Sequence, residues 1–184
     1  MKKITLFVSL IISCVTAFPT VVNAIGLEGV GGKLAIVLPE DPMGTSIGLG
    51  VVGDLGTVVP KVPQLKVEPS VEYWGDSYEV LGLETSWKSI SFNGTAKYHF
   101  PIGGKISPYA GGGLALTISR SSWESKWAWV GTSGSDTKLD IGLHLVGGAD
   151  MPLSPSMKVT AELKYAIDGA DTFEIVGASV FKLK

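Results

Sequence analysis

Across residues 137–151 apolar or small side chains recur at every second position. Leu139, Ile141, Leu143, Leu145, Gly147, Ala149 and Met151 share one parity; Asp140, Gly142, His144, Val146, Gly148 and Asp150 share the other. Side chains alternate faces along a strand, so this pattern predicts a long strand with one apolar and one polar face. The next segment repeats it, with Met157, Val159, Ala161, Leu163, Tyr165 and Ile167 against Lys158, Thr160, Glu162 and Lys164. Between them lies Pro152-Leu153-Ser154-Pro155-Ser156, whose prolines stop both strands. A turn centred near Ser154 would set Asp150 opposite Lys158 and put Glu162 diagonal to His144.

Six further segments carry the same period. Residues 26–38 set Gly32, Leu34, Ile36 and Leu38 against Gly29, Gly31, Lys33 and Ala35; residues 45–55 set Ile47, Leu49, Val51 and Leu55 against Ser46, Gly48, Gly50 and Asp54. Residues 65–74 set Leu65, Val67, Val71 and Tyr73 against Lys66, Glu68, Ser70 and Glu72, with Pro69 predicting a bulge or break. In residues 84–100, Ile90, Phe92, Ala96, Tyr98 and Phe100 oppose Ser89, Ser91, Asn93, Thr95, Lys97 and His99. Residues 107–119 oppose Ala110, Leu114, Leu116 and Ile118 to Tyr109, Gly111, Gly113, Ala115 and Thr117; residues 172–181 alternate most weakly. No helical period competes. Residues 75–83 and 120–136 read as connections, the second holding Trp123, Trp127 and Trp129.

Eight alternating strands joined as hairpins predict a closed antiparallel barrel. The polar face chooses between its two forms. A lipocalin-like barrel points its apolar face inward and meets water outside; a membrane barrel reverses the faces. The polar face here is rich in Gly, Ser, Thr and Ala, with scattered charges of both signs, which suits a narrow lumen better than a solvated exterior. The candidate lumen network comprises Lys33, Glu68, Glu72, Lys97, Asp140, His144, Asp150, Lys158, Glu162 and Lys164. Charges in a dry lumen must pair, and eight strands enclose a space about wide enough for side chains to fill. Tyr73, Tyr98, Phe100, Tyr165, Phe173 and Phe181 fall near strand ends on the apolar face, where interface girdles form.

The N-terminus adds an export signal. Lys2 and Lys3 precede an apolar run, and Val22-Asn23-Ala24 offers a small-residue cleavage site. Residues 1–24 therefore read as a signal peptide and 25–184 as the barrel. A second reading of the same stretch makes Cys14 a lipidated residue within Ile11-Ile12-Ser13-Cys14. Cys14 is the one cysteine, so cleavage after Ala24 leaves no disulfide or thiolate chemistry. Without Lys2 and Lys3 the 15 basic residues fall to 13, against 17 acidic, a net charge of −4 that does not suit nucleic acid. The chain is 45% hydrophobic and 17% charged with 24 glycines, unusual for a soluble protein unless strands cross a membrane.

The signal, the eight strands, Ser107-Pro108-Tyr109-Ala110-Gly111-Gly112-Gly113-Leu114 and Gly142-Leu143-His144-Leu145-Val146-Gly147-Gly148-Ala149 together resemble small bacterial outer-membrane barrels of the OmpA/OmpX type. The resemblance implies an all-β, eight-stranded antiparallel up-and-down transmembrane β-barrel in a Gram-negative-type outer membrane. One departure stands out: such chains end in an aromatic residue, whereas here Phe181 is followed by Lys182-Leu183-Lys184.

Catalytic apparatus is not apparent. The two histidines, His99 and His144, lie on the polar face without zinc spacing and read as lumen hydrogen-bonders. Ser86 and Glu84 lack a histidine nearby in sequence. The glycine clusters lack a phosphate-loop signature and read as sites of tight curvature or of room for a large lumen side chain. The expectation is a non-enzymatic monomer without metal or cofactor, whose partners are outer-membrane lipid and an undefined surface ligand. Residues 120–136 would be the main outward contact surface, with Trp123, Trp127 and Trp129 as contacts or girdle. Counted from Leu139, their parity would face lipid. A narrow pore or ligand carrier, and a soluble lipocalin-like barrel, are the alternatives.

Overall fold

The structure, a computed structural model, describes residues 26–40, 43–80, 83–125, 133–167 and 171–183. The expected signal peptide and start at Ile25, Cys14, Trp127 and Trp129 lie outside the described residues. Eight strands run in chain order: β1 (Gly29–Pro39), β2 (Ser46–Asp54), β3 (Leu65–Val80), β4 (Leu83–His99), β5 (Ser107–Ser125), β6 (Ser133–Ser154), β7 (Met157–Ile167) and β8 (Thr172–Lys182). Each pairs antiparallel with the next, and β8 returns to β1 from Gly29↔Lys182 to Pro39↔Thr172, closing the barrel. Closure gives most strand edges a partner, as a sheet without water beside it requires.

The period-2 pattern decides which side faces out. Leu34, Ile36, Ile47, Leu49, Phe92, Leu114, Ile141, Leu143, Leu145 and Leu163 point outward and are exposed. Lys33 is half-buried, and Glu68, Lys97, Asp150, Lys158, Glu162 and Lys164 are buried inside. This inverts a soluble protein, and it excludes the lipocalin-like arrangement of apolar interior and wet exterior. Aromatic side chains mark two levels of the outer surface. Tyr98 and Phe100 pack edge-to-face at 5.5 Å near one rim, where Phe181 is also exposed; Tyr165 pairs with Phe173 near the other, the end that holds Tyr73.

Three expectations change. First, residues 75–80, 120–125 and 133–136 are strand, not connection. The β3–β4 ladder continues to Val80↔Leu83 and the β5–β6 ladder to Glu124↔Ser133. Neither face meets hydrocarbon there, so apolar alternation, the signal used to find strands, disappears while pairing persists. Second, Pro69 breaks only one ladder. Regular pairing to β2 stops at Val52↔Ser70 and resumes past the proline, where the Leu55 amide donates to the Val67 carbonyl at 3.0 Å and Thr57 bridges Lys66, while pairing to β4 runs unbroken through Pro69↔Gly94. A proline lacks one donor, so only one side need yield. Third, the β6–β7 hairpin turns later than Ser154. Ser154 pairs with Met157 across a register shift, so Asp150 faces Thr160 and Lys158 faces Pro152.

Two inward glycines show why this wall lacks side chains in places. A Cβ on Gly113 would overlap the Gly94 carbonyl oxygen and come within 2.8 Å of His144 Nε2. A Cβ on Gly31 would overlap the Ser179 carbonyl oxygen. At the chain end, Lys182 completes β8 and the Leu183 amide donates to the Glu28 carbonyl at 2.8 Å, so the residues after Phe181 extend the seam.

An arginine on the outer surface should be costly in proportion to depth. Leu143→Arg lies in the middle of the apolar rows and should lower unfolding stability in lipid vesicles by about 2–4 kcal/mol; Ile118→Arg, in the outermost row, should cost less. Denaturant titration followed by tryptophan fluorescence checks the order.

Candidate functional site: the charged lumen and the tall rim

The inner faces of six strands build one chain of alternating charge. Lys158 lies 2.7 Å from Asp54 and 2.9 Å from Glu68. Glu68 continues to Lys97 at 2.6 Å, and Lys97 to Glu162 at 2.6 Å. Glu162 reaches Lys33 at 3.7 Å, and Lys33 meets Glu72 at 2.5 Å. Glu72 meets Lys164 at 2.5 Å, and Lys164 meets Glu174 at 3.1 Å. Each internal member thus touches opposite charge on both sides. The Lys33–Glu162 step is the longest and joins the two halves.

Hydrogen bonds fill the remaining valences. Tyr109 donates to Glu162 at 2.7 Å and accepts from Lys97 at 3.3 Å, with its ring 4.5 Å beneath the same ammonium. Asp150 branches from the chain: it lies 3.3 Å from Lys158, accepts from Thr160 at 2.7 Å and lies 3.2 Å from His99 Nε2. His144 Nε2 bonds Thr95 at 2.8 Å. A buried charge with opposite charge on each side and hydrogen bonds besides is tolerable; one without them costs several kcal/mol.

The ten residues expected in the lumen thus separate. Lys33, Glu68, Glu72, Lys97, Asp150, Lys158, Glu162 and Lys164 meet in one network. His144 joins only Thr95, and half-buried Asp140 sits opposite Thr117 with no ion pair among the described residues. The partners of Glu162 are Lys97, Lys33 and Tyr109, not the His144 that the hairpin register set diagonal to it, because the barrel brings β4 and β1 across to β7. Asp54 and Glu174 are members that sequence reasoning left out. Asp54 had the right parity; Glu174 was hidden by Val176 and Val180, which are also buried inside.

Above the chain sits an apolar layer of Ala35, Val37, Trp74 and Val176, with Met43 and Trp87 packed against it. Between chain and layer, a cavity bordered by Lys33, Glu72, Ser91 and Glu174 holds about 10 Å³, no more than one water needs.

One rim stands higher than the rest. The last β2–β3 pair on this side is Gly48↔Trp74, yet β3 runs on to Val80. The last β6–β7 pair is Leu143↔Ile167, yet residues 133–142 of β6 continue beside β5. A four-stranded wall of β3, β4, β5 and β6 therefore projects past the barrel. Trp123 belongs to β5, not to an extension of β6, and its odd parity there is shared with inward Tyr109, Thr117 and Ser119. It faces the concave side of the wall, half exposed, with its ring filling the space that a Cβ on Gly134 would need.

A closed sheet with an apolar exterior, aromatic rims and a paired polar interior is a transmembrane outer-membrane barrel. The family of the outer membrane protein beta-barrel domain matches residues 6–183, and the chain belongs to it. Solved structures agree in fold. Neisserial surface protein A is 15% identical with a TM-score of 0.58, covering 84% of this chain and 95% of its own. Ail, the attachment invasion locus protein of Yersinia pestis, is 14% identical at 0.58, covering 85% and 97%. A major outer membrane protein from Thermus thermophilus is 11% identical at 0.59, covering 84% and 99%. No curated protein matches the sequence. The chain is thus an outer-membrane protein.

Removing one internal member of the charge chain should leave each neighbour with opposite charge on one side only. Glu162→Gln leaves Lys97 only Glu68 and Lys33 only Glu72, and it should cost up to about 3–5 kcal/mol in unfolding free energy in lipid. The same denaturant titration checks it, with Glu124→Gln, exposed on the rim, near neutral.

Proposed function

We propose that the barrel is a closed, non-catalytic surface-interaction protein whose tall wall stands outside the cell. The projection of β3–β6 beyond the other strands carries this reading. Each residue of these paired strands adds about 3.4 Å, which carries the wall well past the apolar rows, and a pure membrane anchor has no need of it. Trp123 on its concave face supplies a large, half-exposed contact residue. The fold shared with Ail, named an attachment invasion locus protein, fits a role in contact, although identity that low carries fold alone.

The filled lumen weighs against the pore or carrier. The charge chain and the apolar layer above it occupy the axis, and a conducting path would have to break paired, buried charges. The reactive groups an enzyme would need at the outer leaflet are engaged elsewhere: His99 is beside Asp150 and His144 beside Thr95, both buried in the lumen.

Orientation is checked by labelling. With Cys14 removed in the signal, a cysteine at Ser135 should react with a membrane-impermeant maleimide on intact cells, and one at Ser156 only after the outer membrane is opened. The reverse pattern inverts the topology. Nanodisc-embedded barrel, applied to arrays of matrix proteins and glycans, should retain a binder that Trp123→Ala loses while still folding. Steady single-channel conductance in planar bilayers would favour the pore instead.

A further inference from the structure

The outward surface of β3–β6 is layered, and the layers follow from register. Tyr73, Ile90, Ile118 and Leu139 are successive partners and form the last apolar row before the wall. Two residues farther along each strand, the row is Gly75, Lys88, Arg120 and Thr137. The next row is all serine: Ser77, Ser86, Ser122 and Ser135. The step from one row to the next is about 7 Å along the strand.

Lys88 and Arg120 are direct cross-strand partners, and both are exposed. Like charges placed directly opposite destabilise a sheet. Neither has a carboxylate partner among the described residues, and residues 81–82 and 126–132 contain no Asp or Glu. The flanking members of their row, Gly75 and Thr137, bring no charge. An anion between the two side chains would turn the repulsion into two charge-assisted contacts. Arg offers a planar fork that fits phosphate bidentately, and Lys adds a point charge. Both can lay their aliphatic stems over the apolar row below while holding the charge at the level of headgroups.

We propose that Lys88 and Arg120 bind the phosphate of a membrane lipid, whose acyl chains lie along the apolar rows beneath. The height selects a lipid over a soluble anion. The pair sits one row beyond Ile90 and Ile118, where hydrocarbon gives way to headgroup, and Ser86 and Ser122 in the row above offer hydroxyls to the same headgroup. This lipid would brace the foot of the wall. Which leaflet supplies it rests on the orientation proposed above; the assay below does not, so the two can fail separately.

The test uses the mature chain folded in a non-ionic maltoside detergent, with heat-dependent gel mobility confirming folding of every variant. Native mass spectrometry counts retained phosphatidic acid, with diacylglycerol and inorganic phosphate as comparisons. The unmodified barrel should retain one phosphatidic acid more than Lys88→Gln/Arg120→Gln, with occupancy falling on the order of tenfold or more. Arg120→Gln alone should fall part of the way, and Lys105→Gln at the opposite rim should keep full retention. Diacylglycerol should not be retained, and inorganic phosphate should not displace the lipid. Equal retention by the double variant, equal retention of diacylglycerol, or displacement by micromolar phosphate would each overturn the proposal.

Discussion

The alternating row Asp54, Lys158, Glu68, Lys97, Glu162, Lys33, Glu72, Lys164 and Glu174 is the constraint on which this barrel depends. The exterior is apolar and lies among lipid, so it cannot drive the strands together as an apolar core does in water. The specific contacts are inside. Six strands contribute to the row, and consecutive members come from different strands, so the charges can all be matched only when the whole cylinder has closed in one register. A slip by one residue would turn β7's Lys158, Glu162 and Lys164 outward together and bring Val159 and Leu163 in. The cost of unpaired charge on both faces then specifies register more sharply than apolar contact could.

The same row accounts for features that look unrelated. Gly111 lies directly opposite Lys97 of the row, where a Cβ would overlap the Ala96 carbonyl oxygen and press on the Lys97 Cα that carries the ammonium inward. Tyr109 is an inner aromatic at this level, and its hydroxyl bridges Lys97 to Glu162 while its ring lies under the ammonium. Farther along, the charges stop and Val37, Trp74 and Val176 close the lumen with apolar packing. A filled interior leaves the rim as the surface that can differ from one barrel to another, which is where the wall and Trp123 are.

Strand number, the apolar exterior and the polar interior were legible in the sequence, because a strand with different solvents on its two sides must alternate. Leu139 to Leu145 and Lys158 to Lys164 show this plainly. Legibility failed where that condition failed. Residues 75–80, 120–125 and 133–136 lie past the hydrocarbon on both sides, so Ser121, Ser122, Ser133 and Ser135 read as a loop although they are paired strand. Trp123 was assigned its face by counting from the wrong strand for the same reason. Membership of the lumen was also legible by parity, whereas pairing was not. Lys97 meets Glu162 across β4 and β7, strands that share no ladder, and only the closed cylinder sets that distance.

The central claim is that adjacent members of the charge row depend on each other, and a double-mutant cycle on Lys97 and Glu162 tests it most directly. Either change alone leaves the other member of the pair with one opposite charge instead of two, whereas taking both away removes one charge of each sign and leaves Glu68 with Lys158 and Lys33 with Glu72. Unfolding free energies would be measured in lipid vesicles for Lys97→Met, Glu162→Met and the pair. The account predicts that each single change is strongly destabilising and that the double variant recovers a substantial part of the loss, a coupling of about 1–3 kcal/mol. Additive losses would contradict it.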